Sequence, residues 1–342
     1  MRTPVLSRSF VLRGLAALAL AAAFAAPLAA VAAEESPVTI AAANAMRTGD
    51  FAALEKQYAS LKRPVRIEAN GVSPLGWFDR GIDMVIAATV KDDEAYLREL
   101  EALTLEWARD NPKSALAHIL HAAVLVEHGW SYRGGGYAKE VPPEAWKDFH
   151  DYLRRAVSYL EAHADVALAD SGAHRLLLKI GRGLDWNIAQ LDAIRREGLK
   201  RNPDDIDLYF AMVEGLLPKW GGTPKQLDDY IRQATAETRD RFGTGMYARL
   251  YATAADRYFK HSLFESSHAD WDTMKQAYED MFARYPDSPE RRNDYAYMAC
   301  LARDKDTLLR LLDEIGTDIR PSEWGANPER TLEGCRRWAG KL

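Results

Sequence analysis

Three short stretches decide the fold: Arg109-Asp110-Asn111-Pro112-Lys113, Lys200-Arg201-Asn202-Pro203-Asp204 and Ala283-Arg284-Tyr285-Pro286-Asp287. In each, a charged amphipathic segment with Tyr, Trp or Leu on its inner face ends in a basic turn. Proline, which disfavours helix in the residue before it and is accepted in a first helical turn, then opens the next segment. The prolines lie 91 and 83 residues apart, each roughly two units of about 40 to 45 residues. Fainter junctions at Ala164-Asp165 and Phe242-Gly243 divide those intervals. The pattern predicts a degenerate helix-turn-helix repeat.

The rest of the chain agrees with that reading. Helices are expected over Val38 to Thr48, Phe51 to Leu61, Pro74 to Ala88, Asp92 to Arg109 and Lys113 to His128, with Gly49-Asp50 and Asn111-Pro112 as boundaries. Strand-like alternation is almost absent, Val65-Arg66-Ile67-Glu68 being the one short case. Among 342 residues, 38 Leu and 54 Ala stand against 14 Val and 12 Ile. That balance favours helix, because Ala and Leu lose least entropy there. With 47% hydrophobic residues the chain buries a core and is not disordered. The expected architecture is all-α, an α-solenoid of about 12 to 14 antiparallel helices.

Residues 1–33 are set apart from that domain. Arg2, Arg8 and Arg13 form a basic start, Leu15 to Ala26 is an apolar run of 12 residues, and Val31-Ala32-Ala33 supplies small residues before Glu34. These are the three regions of a secretory signal peptide, cleaved after Ala33, which leaves a single domain over 34–342. The expected product is periplasmic or secreted, with no membrane span after signal removal. It keeps 42 Lys plus Arg against 50 Asp plus Glu, a net charge of −8. Such an acidic product is a poor partner for nucleic acid.

Two segments carry a family likeness, His128-Gly129-Trp130-Ser131-Tyr132-Arg133-Gly134-Gly135-Gly136-Tyr137-Ala138 and Leu217-Pro218-Lys219-Trp220-Gly221-Gly222-Thr223. On these and the repeat, the chain resembles tetratricopeptide-like proteins, and most closely a family of exported bacterial proteins defined by a domain of unknown function. The likeness covers about residues 50 to 300. It implies paired antiparallel helices stacked into a right-handed superhelix, with a concave face that binds other molecules. It brings no catalytic residues.

The segment from Trp130 to Tyr137 is the most unusual local chemistry. Read as a loop between two long helices, it joins the cation Arg133, the rings of Trp130, Tyr132 and Tyr137, and three glycines that let backbone approach a ligand. Two readings stand. One is a crossover with the aromatics packed beneath it, Arg133 bonded to a helix C-terminus or carboxylate and Trp220 in a helix-ending loop. The other is a ligand site in which Arg133 holds an anionic or carbonyl group, Trp130 or Tyr137 stacks and Trp220 in the second segment assists. No Gly-Lys-Ser/Thr follows, so this is not a phosphate loop. His118 and His121 sit three apart on one helix but lack further ligands at metal spacing, so no metal and no cofactor is expected. The stripe Trp146, Phe149, Leu153, Val157 and Leu160 reads as core. Paired acids such as Asp92-Asp93, Asp204-Asp205 and Asp228-Asp229 read as helix-start residues.

Cys300 and Cys335 are the only cysteines, 35 residues apart. An oxidising compartment permits a bridge, and burial as small apolar residues explains them equally, so the pairing stays open. The function expected is a noncatalytic binding or scaffold protein with a protein or peptide partner, binding through Trp130, Tyr132, Arg133, Tyr137 and Trp220. The alternative is a helical-toroid enzyme acting on carbohydrate of the cell envelope, which needs two carboxylates facing across an aromatic cleft.

Overall fold

The computed structural model describes residues 35–62, 67–68, 71–136 and 138–340, which belong to one unit, Glu35–Leu342. The proposed signal peptide and its cleavage site after Ala33, and half of the Val65 to Glu68 segment, lie outside the described residues. Among those described there is no strand, and the fold is all-α.

The three diagnostic stretches are helix junctions of one kind. Asn111 closes α4 (Asp93–Asp110) at φ −126°, Asn202 closes α9 (Ile188–Arg201) at φ −144°, and Tyr285 closes α15 (Trp271–Arg284) at φ −133°. Each precedes a proline, which forces this extended backbone. Each N–H bonds to a carbonyl four residues back, at 2.9, 2.9 and 2.7 Å for Asn111, Asn202 and Tyr285. The prolines are not in the first turns of the next helices, as the sequence suggested. They sit in the connecting turns, and the helices begin later, at α5 (Ala115–Arg133), α10 (Asp207–Gly215) and α16 (Pro289–Leu301). For α5 the reason is Ser114, whose hydroxyl accepts from Ala117 N at 3.1 Å and supplies the cap that Pro112 lacks.

Between the junctions, helices pack mainly on near neighbours in the chain. At the start, α1 (Pro37–Thr48) lies on α3 (Pro74–Ile86), with α2 (Phe51–Lys62) beside them. The α1 and α3 backbones meet at Gly81, where a Cβ atom would stand 2.4 Å from the Thr39 carbonyl. Next, α5 packs between α4 and α6 (Pro143–Ala162), followed by the single turn α7 (Ala164–Ala167) and α8 (Ser171–Gly183), which carries α9 and α10. Then come α11 (Pro224–Glu237), the short α12 (Arg239–Phe242), α13 (Gly245–Ala254) and the short α14 (Leu263–Ser266). The chain closes with α15, α16, α17 (Lys305–Ile315) and α18 (Pro328–Ala339). Fifteen of these helices have nine or more residues, slightly above the expected number.

The core follows the same order. Its three buried groups run over residues 42–124, 122–180 and 178–339, each handing on to the next. The expected stripe on α6 lies in the middle group, with Phe149, Leu153 and Leu160 buried and Trp146 and Val157 packed against them. Some contacts join remote parts of the chain: Ile67 rests on the C-terminal group, Gly71 faces the Tyr285 ring, and Tyr58 and Lys62 of α2 bond Asp170. Cys300 on α16 and Cys335 on α18 are joined in a disulfide, with Cα atoms 5.7 Å apart. No helix among the described residues is long and apolar enough to cross a membrane.

Candidate functional site

Where α5 ends decides which of the expected residues can work together. The helix runs five residues beyond His128, so Trp130 to Arg133 belong to its last turn rather than to a loop. Gly134 stops it, with φ +67° and its N–H on the Trp130 carbonyl at 2.7 Å. Helical spacing then puts Trp130 and Arg133, three apart, on one side, and His128 and Tyr132, four apart, on another. Tyr132 leaves the expected set for this reason. Its hydroxyl donates to Glu94 at 2.6 Å, and its ring stacks 5.6 Å from His128 and 5.7 Å from Tyr152. Tyr137 lies outside the described residues.

Trp130 and Arg133 are instead joined by Trp220. The Pro218–Trp220 turn ends on Gly221 at φ +86° and presents its indole edge-to-face to Trp130, with ring centres 5.7 Å apart. The Arg133 guanidinium lies 5.3 Å from the Trp130 ring, 5.2 Å from Trp220 and 5.6 Å from Trp146 of α6. A second cation, Arg182 of α8, stands 4.9 Å from Trp220 and 5.6 Å from Trp130. Two guanidinium groups thus share two indoles.

Arg182 was not singled out from the sequence, although its neighbours carry a signal. It lies between Gly181 and Gly183, and a Cβ at those positions would stand 2.4 Å from the Trp186 ring and 2.5 Å from Leu153. Glycine on both sides lets α8 press inward far enough to bring Arg182 under Trp130 and Trp220.

The polar atoms of this cluster are poorly satisfied. Arg133 Nη1 donates to the Gly134 and Gly136 carbonyls at 2.9 and 2.7 Å. Arg133 Nε, Arg182 Nε, Trp130 Nε1 and Trp220 Nε1 are all buried and have no acceptor among the described residues. A buried donor without an acceptor costs about 1 to 3 kcal/mol, so four in one place call for an explanation. The charge balance points the same way. Glu214 is reached by Arg182 at 3.7 Å, Lys219 at 3.0 Å and Arg257 at 3.9 Å. Burial lowers the pKa of both Arg133 and Arg182, and for Arg182 the Glu214 carboxylate opposes that effect. Beside the cluster lies a groove of about 450 Å³ lined by Arg182, Trp186, Asn187, Leu191, Trp220 and Gln226. Asp185 lines it as well, so the groove offers one cation, one carboxylate and indole surface, with Trp130 and Arg133 behind its lining.

No family model, curated protein or solved structure matches the chain. The chemistry of the site therefore carries the functional argument.

Other candidates resolve into architecture. His118 contacts the Tyr159 hydroxyl at 2.9 Å and the Pro112 carbonyl at 3.1 Å, and His121 contacts Thr104 at 3.1 Å. Burial pushes His121 down to about 4, so its ring stays neutral at ordinary pH. Among the described residues no group of three or more His, Cys, Asp or Glu is arranged to hold a metal ion. Asp92 caps α4, accepting from Ala95 N at 3.0 Å. Asp205, fully buried, bonds Ser171 at 2.5 Å and pairs with Arg175, while Asp228 and Asp229 lie inside α11 and pair with Arg232 and Lys225. Asp205 also accepts from Asp207 N at 3.2 Å at the head of α10, so only the third acid pair departs from the helix-start reading.

Proposed function

We propose that this chain is an exported, tetratricopeptide-like helical-repeat protein that binds a protein or peptide partner without catalysis. The partner's carboxylate, flanked by an apolar or aromatic side chain, enters the groove beside Arg182 and Trp220. One observation carries the reading: Arg182 and Trp220, each with a buried N–H that has no acceptor among the described residues, line one groove, with two further unmet donors on Trp130 and Arg133 beside it. A carboxylate in the groove gives Arg182 a partner, and the Trp220 indole supplies the apolar contact. Export is supported by the signal-like start and by the Cys300–Cys335 bridge, since such bonds persist in oxidising compartments. The repeat reading is supported by the three equivalent helix junctions and the consecutive core. The carbohydrate-enzyme alternative is less well served, because Glu214 beside Arg182 is tied to three cations rather than set against a second carboxylate.

The test is a peptide array synthesised with free and with amidated C-termini and probed with the purified exported protein. The proposal expects retention of a subset of free-acid peptides, lost on amidation and lost in Arg182→Met. Retention that ignores both changes, or no retention of any peptide, overturns it.

A further inference from the structure

A second cavity, far along the chain from the groove, holds a different combination of charges. It measures about 280 Å³ and lies among α10, α13, α16 and the turn at Pro321–Trp324. Arg249 of α13 lines it with only 7% of its surface exposed. Its one hydrogen-bond contact is with Met246 Sδ at 3.9 Å, and its guanidinium otherwise sits 5.2 Å from the Phe210 ring and 5.3 Å from Phe242. No carboxylate lies within ion-pair distance of it among the described residues. A buried guanidinium without an oxygen acceptor is expensive, because the charge is desolvated and only weakly compensated.

Three carboxyl groups, Asp256, Asp294 and Glu323, line the same cavity, together with the guanidinium of Arg291. Asp294, 4% exposed, accepts from the Tyr278 hydroxyl at 2.8 Å and pairs with Arg291 at 3.4 Å. Glu323 accepts from its neighbour Ser322 at 3.1 Å. Ala252, Ala255, Tyr297 and Met298 supply apolar wall between the charges. The backbone is also unusual here. After α13 the chain takes a π-helical turn over Ala255–Phe259, and Lys260 follows at φ +51°. Such turns are rare and frequently lie at functional sites. This one sets the exposed Asp256, Arg257 and Lys260 along the rim.

We propose that this cavity binds a small zwitterion with an apolar side chain, the chemistry of a free apolar α-amino acid. Its carboxylate meets Arg249, its ammonium group meets Asp294 and Glu323, and its side chain lies on Ala252, Tyr297 and Met298. The ligand's carboxylate answers Arg249, which has no carboxylate within ion-pair distance among the described residues. Its ammonium answers Glu323, bonded to Ser322, and joins Arg291 and Tyr278 as a partner of Asp294. In keeping with this, burial pushes Glu323 up to about 7 and Arg249 down to about 10, shifts that a bound ammonium and a bound carboxylate reverse. Arg257 of this rim stands 3.9 Å from Glu214 beside the Trp220 groove, while Arg249, Asp294 and Glu323 make no hydrogen bond or ion pair with that groove's lining.

The experiment titrates L-leucine, L-methionine and L-phenylalanine into the purified protein by calorimetry, with thermal unfolding in parallel. L-Leucinamide and N-acetyl-L-leucine, each lacking one charge, are the comparisons. Binding of at least one amino acid at millimolar concentration or below is expected, weakened about ten- to hundredfold by loss of either charge. Arg249→Met should no longer distinguish leucine from leucinamide, and Glu323→Gln should distinguish leucine from N-acetyl-leucine less than the parent does. If Arg249→Met fails to fold, Glu323→Gln and the three ligands decide the matter alone. Arg182→Met, in the other groove, should leave the calorimetric affinities for these compounds unchanged. Absence of binding by all three amino acids, or leucinamide binding as well as leucine, overturns the proposal.

Discussion

Replacing Arg182 by methionine separates a ligand-holding cation from a structural one. The Arg182 side chain is 14% exposed, leaves Nε without an acceptor, and reaches Glu214 only at 3.7 Å. Glu214 keeps Lys219 at 3.0 Å after the change, so no partner charge is orphaned. Exchanging a poorly paired buried ion for an apolar side chain is neutral to stabilising by about 1 to 4 kcal/mol. Against this stand the contacts over Trp220 at 4.9 Å and Trp130 at 5.6 Å, each worth about 0.5 to 1 kcal/mol. A thioether on the same rings restores part of that. The balance is a net gain of about 1 kcal/mol for ligand-free Arg182→Met, or about 2 °C in melting temperature for a chain of this size. Urea unfolding followed by circular dichroism measures it. A loss of about 2 kcal/mol or more makes Arg182 a strut of the fold and removes the argument from unpaired donors.

Further outcomes follow from the same geometry. Gly81→Ala, whose Cβ would stand 2.4 Å from the Thr39 carbonyl and 2.7 Å from Ala42, should destabilise by about 1 to 3 kcal/mol in urea unfolding. Gly334→Ala in α18 meets nothing within 4 Å and should instead stabilise by about 0.5 to 1 kcal/mol. The unfolded, unreduced protein should show no free thiol, and removing the Cys300–Cys335 bridge should cost about 3 to 4 kcal/mol for a loop closed across 35 residues. Asp207 Oδ2 is buried without a donor, and burial followed by the Asp205 charge pushes its carboxyl up to about 7. A folded pKa above the unfolded value gives stability that is present in acid and lost as pH rises through about 7. Asp207→Asn should therefore improve relative to the parent by about 1 to 2 kcal/mol between pH 5 and pH 8, and an equal difference at both pH values refutes this assignment.

The fold class was legible because its signals are local. Asn111, Asn202 and Tyr285 each stand before a proline, and that dipeptide alone dictates an extended residue and a helix end. The end of α5 was less legible, since Gly129, Gly134, Gly135 and Gly136 all compete for the role of terminator. Gly129 lost because its missing Cβ serves packing: an atom there would lie 3.1 Å from the Phe149 carbonyl. Gly134 won because it alone of the four adopts positive φ. That difference of one turn sent Tyr132 to Glu94 and kept Arg133 with Trp130.

The partners of Arg133 and Arg249 were not legible at all, because each depends on elements remote in the chain. Trp220 reaches Trp130 across 90 residues, and the cavity at Arg249 closes only with the turn at Pro321–Trp324. Pattern reading finds a cation beside aromatic residues but not whether an acceptor waits on another helix. In both places the completed fold sets guanidinium groups against rings, and at Arg133 and Arg182 it leaves the buried Nε without an acceptor among the described residues. Arg175 and Arg195, equally buried in this chain, show the contrast: Arg175 pairs with Asp79 and Asp205, and Arg195 with Asp192 and Glu237. The fold thus supplies carboxylates to arginines that serve architecture. Arg133 and Arg249 have no carboxylate within ion-pair distance among the described residues, and Arg182 reaches Glu214 only at 3.7 Å; these are the places at which we propose that a ligand carboxylate enters.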